Sequence, residues 1–113
     1  MDMTVTEAAG NVTCVRLSGR MDAPGADQIG VRFTAAVVSQ GRNAVVDLSG
    51  VSFIASLGMR LLIATARGLG LKGAKMIVFG APELVQNALE QAAMDQIIAI
   101  VDSEAAALQR LAG

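Results

Sequence analysis

The chain has 113 residues, enough for one domain spanning 1–113 with a single core. Apolar residues make up 53% and charged residues 17%, with aromatics at 3%, so small apolar side chains dominate the interior and disorder is excluded. A net charge of −1 leaves no surplus of lysine and arginine for nucleic acid, and no apolar run reaches the ~18 residues a membrane span needs. The opening MDMTVTEAAG has no charged segment leading into an apolar run, so no signal peptide is expected and the cytoplasm is the expected compartment. Cys14 is alone, cannot form an internal disulfide, and reads as a small strand residue within TCVRL.

Met3 to Ala8 alternates weakly, Gly10-Asn11 is a hairpin turn signal, and Val12 to Ser18 alternates again. These are two antiparallel strands, with Val15 and Leu17 toward the core and Gly19 ending the second. Asp22 reads as an N-cap, with Pro24 in the first turn of a helix. Ala26, Ile29, Phe33 and Val37 follow at helical spacing, and Gln40-Gly41 closes the helix. Ala44 to Leu48 is nearly all apolar, as in a strand covered on both faces, and Asp47 stands at its end. Leu48 to Ala55 then reads as a crossover, with Ser49 and Ser52 as turn residues.

Ser56 opens the next helix. On a wheel of ~100° per residue, Met59, Leu62, Ile63, Ala66 and Leu69 share the side assigned to the core. Leu57, Arg60, Leu61, Ala64 and Arg67 share the other side, beside Ser56. That outward face is more apolar than solvent alone requires, which fits a partner surface as well as a solvated helix with scattered apolar residues. The run Gly68 to Gly73 ends the helix, and Lys75 to Phe79 is the next strand. Pro82 starts a third helix with Leu84, Val85, Ala88, Leu89 and Ala92 as its apolar positions. Gln96 to Val101 is a last strand, and Ser103 to Leu111 a last helix capped by Asp102 or Ser103. The order β-β-α-β-α-β-α-β-α predicts an α/β fold with a mixed, mostly parallel sheet of about five strands and about four helices.

Much chemistry is excluded outright. With no histidine there is no Ser–His–acid triad and no histidine metal site, and one cysteine cannot build a thiolate cluster. Ser56 lacks a G-x-S-x-G context, and no G-x-x-x-x-G-K-[ST] loop is present. Gly68, Gly70 and Gly73 spell G-x-G-x-x-G, but they close a helix and precede a strand, the reverse of a dinucleotide site. Asp22 and Asp47 have no base placed against a defined substrate. The chain is therefore expected to be no enzyme, with no metal and no cofactor of its own.

Ser56 is the residue with chemical potential. A hydroxyl at the start of a helix lies beside backbone N–H groups without intrahelical partners, at the positive end of the helix dipole. The position suits an ordinary N-cap and equally suits a phosphate.

Three segments carry a family resemblance: LSGRMD (Leu17 to Asp22) with Ala26, VVDLSGVSFIASLGMRLL, and the spacing onward through GAKMIVFG to the last helix. Over essentially its whole length the chain resembles the STAS domain, specifically the stand-alone anti-sigma factor antagonists of bacteria. The resemblance implies the STAS fold and a phosphoacceptor at Ser56, with Gly58 as the glycine of the D-S-x-G motif. The acidic residue usual before that serine is Ala55 here. It further implies partner switching. Unphosphorylated, the surface formed by Asp22, Ala55, Leu57, Gly58, Arg60, Leu61 and Ala64 binds an anti-sigma factor that is also a serine kinase. Phosphorylation releases that partner, and a serine phosphatase resets the switch. ATP would belong to the kinase. Two other readings stay open: a non-phosphorylated STAS subunit of a membrane lipid transport complex, and a small enzyme or ligand-binding domain of flavodoxin-like build.

Overall fold

The computed structural model describes residues 1–112. Strand β1 (Asp2–Ala8) turns through Gly10 and Asn11, both at positive φ, into β2 (Val12–Met21). Helix α1 (Ala23–Val38), strand β3 (Ala44–Ile54), helix α2 (Ser56–Gly70) and strand β4 (Met76–Phe79) follow. Helix α3 (Glu83–Gln91), a short 3₁₀ turn (Met94–Gln96), strand β5 (Ala99–Val101) and helix α4 (Glu104–Ala112) complete the chain. The five strands lie in sequence order, β1 antiparallel to β2 and all later pairs parallel. This is the α/β architecture expected from the element order.

Because each parallel crossover moves one strand onward with the same hand, α1, α2 and α3 fall on one face of the sheet. Ile29, Phe33 and Val37 of α1, Leu62 and Leu69 of α2, and Val85 and Leu89 of α3 pack there against Val15, Leu17, Val46 and Leu48. The other face is covered by α4, whose Ala107, Leu108 and Leu111 sit on Val12, Cys14, Val45, Ile77 and Phe79. Cys14 is buried as expected, and burial pushes its thiol pKa up.

The structure corrects the middle of the chain. Leu48 to Ala55 is no crossover: β3 runs on to Ile54 and pairs with the end of β2, so Asp47 lies within the strand, not at its end. Two register shifts, between Arg16 and Ser18 and between Gly19 and Arg20, each insert one extra β3 residue against β2. The buried positions Leu48, Val51 and Ile54 are therefore three residues apart, which hides the two-residue period of a strand. Ser49 and Ser52 are strand residues; Ser49 donates its N–H to Asp47 Oδ1 at 2.8 Å, and Ser52 Oγ reaches Gly19 O at 3.4 Å. Further along, Pro82 is the N-cap of α3, Leu84 is exposed, and Ala92 is exposed beyond the helix end. The last strand shrinks to three residues because Met94–Gln96 turns first. Ser103 caps α4 by accepting from Ala106 N at 3.2 Å.

Arg16 joins β2, β3 and α4, bonding Asp47 Oδ2 at 2.6 Å and Glu104 Oε1 at 2.9 Å. Burial raises the Asp47 carboxyl pKa, but the Ser49 hydroxyl and N–H and the Arg16 guanidinium outweigh it and hold the group below the usual carboxylate range. A depressed folded-state value means stability that is present above about pH 4 and lost as pH falls through that value. Melting temperature should consequently fall less steeply on acidification in Asp47→Asn than in the parent, measured by thermal denaturation from neutral pH downward.

Candidate functional site

The extended β2–β3 ladder brings two helix starts to the same end of the sheet. Its last pair is Met21 with Ile54, and Ala55 N–H then donates to Met21 O at 3.0 Å. One residue beyond Met21 is the cap of α1; one residue beyond Ile54 is the cap of α2. Two glycines permit this closeness. A Cβ on Gly25 would stand 2.1 Å from Arg20 O, and one on Gly58 would stand 2.8 Å from both Met21 O and Met21 Cγ.

The two helix starts are finished differently. Asp22 caps α1: its Oδ1 accepts from Gly25 N at 2.9 Å, and Oδ2 faces Arg20 Nε at 3.3 Å. The Gly25 N–H, with help from Arg20, holds the Asp22 carboxyl below its ordinary pKa. Arg20 is itself fixed, its guanidinium 4.4 Å from the centre of the Phe53 ring. At α2 the cap residue is Ala55, in extended conformation with φ −112° and ψ 176°, and it offers no side-chain bond. No acidic residue lies in the first turn of α2. Ser56 occupies the first helical position, exposed, and among the described residues its hydroxyl makes no hydrogen bond. The N-cap alternative for Ser56 is thereby removed, since the cap position belongs to Ala55. The N-terminal amides of α2 are left for an outside anion.

Leu57, Arg60, Ala64 and Arg67 are exposed, as expected, on the side of α2 that carries Ser56, with Arg67 in the last turn and Leu57 keeping 47% of its surface. One expected surface residue is not on it: Gly58 is buried against Met21 and Ile54, where its role is to let α2 approach β2. Leu61 is half-buried at the α1–α2 seam. The buried stripe of α2 is Gly58, Leu62, Thr65 and Leu69, while Met59, Ile63 and Ala66 are half-buried. Thr65 is tolerated inside because its hydroxyl donates to Leu61 O at 2.7 Å.

A shallow, largely apolar groove runs from this end along the α1–α2 seam. Ala26, Gly30, Val31 and Leu61 line it, and Ala23, Leu57 and Arg60 continue it toward Ser56. Val31, 85% exposed, was not legible as a site residue from the buried stripe alone. The available signal was an apolar residue standing off the 26-29-33-37 spacing. Arg20 was likewise missed, though a cation two residues before the Asp22 cap was visible.

A family model described as STAS domain matches residues 3–107. The chain belongs to the STAS domain family. Among solved structures, this STAS domain is similar to an anti-sigma-factor antagonist (STAS) domain protein from Planctomyces limnophilus, with TM-score 0.87, 22% identity and full coverage of both chains. It is also similar to an anti-sigma factor antagonist from Mycobacterium paratuberculosis, with TM-score 0.86 and 24% identity over 99% of this chain and 94% of that one. The Bacillus cell fate determinant SpoIIAA in its phosphorylated form matches at TM-score 0.70 and 17% identity, covering 96% and 98%. No curated protein matches by sequence. At these identities the likenesses establish the STAS fold.

The empty cap of α2 has a direct consequence. Ala55→Asp would place a carboxylate at an N-cap position already in the right backbone region, stabilising the domain by about 0.5–2 kcal/mol. Urea denaturation of the two proteins measures this.

Proposed function

We propose that this STAS domain is a partner-switching regulator of the anti-sigma factor antagonist kind, working in the bacterial cytoplasm, with Ser56 as its phosphoacceptor. One observation carries the reading: the Ser56 hydroxyl is exposed and unbonded at the head of a helix that has neither side-chain cap nor acidic first turn. The adjoining groove with Val31, Leu57 and Arg60 supplies a docking face. Asp22 and Ala55 border the same end, Ala64 lies further along the exposed side of α2, Leu61 lines the groove and Gly58 supports it from below.

In this reading the unmodified face binds an anti-sigma factor that is also a serine kinase. The Ser56 Oγ forms a bond to the γ-phosphorus of the partner's ATP as the bond to the ADP oxygen breaks, and the hydroxyl proton passes to a base of the partner. This chain supplies the acceptor and the partner supplies the catalysis, so the domain itself is no enzyme and holds no cofactor. A serine phosphatase reverses the step.

The energetics favour release without refolding. The phosphate adds a charge of about −1.5 to −2 at pH 7. Within the domain it meets the uncapped N–H groups of α2 and gains about 0.3–1 kcal/mol from the dipole. Within the complex it would be an unpaired charge in a closed interface, costing about 3–5 kcal/mol. Since about 1.4 kcal/mol is a factor of ten in affinity, one phosphate suffices to eject the partner.

Incubation with ATP and lysate of the source bacterium should add one phosphoryl mass that disappears in Ser56→Ala. A gain retained in that variant overturns the assignment of Ser56. Ser56→Asp should weaken capture of the kinase at least tenfold with its melting temperature unchanged or slightly raised. Stable co-purification with a permease and its ATPase, without phosphoserine, would favour the transport-subunit reading.

A further inference from the structure

The two edges of the sheet are unlike. Strand β5 closes one side with three residues, too short to template another chain. Strand β1 closes the other with seven residues, and among the described residues no strand lies beyond it. Its pairing with β2 is continuous from Asp2 to Ala8 without a register shift, so no bulge twists the edge away. It also carries no lysine, no proline and no glycine, and its centre, Met3-Thr4-Val5-Thr6, is uncharged. Val5 in the middle is 45% exposed. Of the common means of blunting an edge, only two flanking carboxylates, Asp2 and Glu7, are present, and neither stands in the uncharged centre of the strand.

We infer that β1 is a self-pairing edge, joining two copies of this chain through antiparallel β1 strands related by a twofold axis at Val5. The register follows from charge and geometry. Opposed residues on an antiparallel ladder must be of the same hydrogen-bonding phase, which about a twofold axis excludes pairings that set odd against even positions. The excluded set contains the arrangement that would oppose Asp2 to Glu7. Centring on Val5 uses all seven residues, opposing Asp2 to Ala8, Met3 to Glu7, Thr4 to Thr6 and Val5 to itself. No like charges face each other, and the pairs include a β-branched match and two threonine pairs. The one carboxylate near the centre, Glu7, is already paired with Arg42 of its own chain at 2.8 Å.

The product is a ten-stranded sheet with an isologous contact. Because the copies run antiparallel across the axis, their Ser56 ends point in opposite directions and both remain uncovered. Self-pairing is thus independent of the phosphorylation reading and holds or fails apart from it.

Sedimentation equilibrium should show a monomer–dimer equilibrium with Kd of about 1 mM or tighter. Val5→Lys sets two cations opposite one another and should raise Kd at least tenfold, with a melting temperature equal to that of the parent because Val5 lies outside the core. Val5→Cys places two thiols at the axis, within reach of a disulfide for an opposed antiparallel pair, and should give a covalent dimer on mild oxidation. The parent is the control, since Cys14 is buried, and Thr4→Cys should not cross-link because its opposite is Thr6. A monomer throughout the concentration range, or cross-linking of Thr4→Cys in place of Val5→Cys, overturns the proposal.

Discussion

The rim that carries Asp22, Ala55 and Ser56 depends on the last few rungs between β2 and β3. The ladder extends past Asp47 only because β3 absorbs two extra residues, and it ends where Ala55 N–H meets Met21 O. That hydrogen bond fixes the point at which the chain leaves the sheet and becomes α2. The glycines then set how closely the helices can approach: Gly25 stands over the Arg20 carbonyl and Gly58 over Met21, in spaces that admit no Cβ. Two helix N-termini consequently open side by side on one rim, and what each presents to solvent is decided by one residue, Asp22 or Ala55.

Charge is distributed to match. On the α4 face, Arg16 is held between Asp47 and Glu104, so its charge is compensated within the fold. At the rim, Arg20 is bound to Asp22 and stacked on Phe53, which closes the head of α1. The head of α2 receives no such counterpart. The backbone N–H groups at the head of α2 are thus left without a side-chain acceptor from the domain. In the proposed switch, a phosphate on Ser56 would add negative charge to the rim without displacing a buried group.

The sheet edge and the rim offer different kinds of surface. The proposed docking face at the α1–α2 seam presents side chains, whereas the β1 edge presents main-chain hydrogen-bonding groups along an uncharged centre. The two proposed surfaces lie in different parts of the molecule.

Sequence alone determined the order of the elements, the strand faces of Val15 and Leu17, and the buried stripe of α1. In those stretches each residue's burial follows the local period, and Ala26, Ile29, Phe33 and Val37 show it plainly. It also determined that Ser56 begins α2, that histidine chemistry is unavailable and that one cysteine cannot build a thiolate cluster. Tertiary structure alone decided the length of β3, since its bulges replace the two-residue period with Leu48, Val51 and Ile54 at intervals of three. It alone decided that Gly58 and Thr65 are inside α2: neither is apolar enough to flag burial, and their places are set by the approach to Met21 and by a bond to Leu61 O. It likewise assigned the cap of α2 to Ala55 and so left the Ser56 hydroxyl free. A cap is a matter of which residue turns out of the helix, and that was settled by where the neighbouring strand lets go.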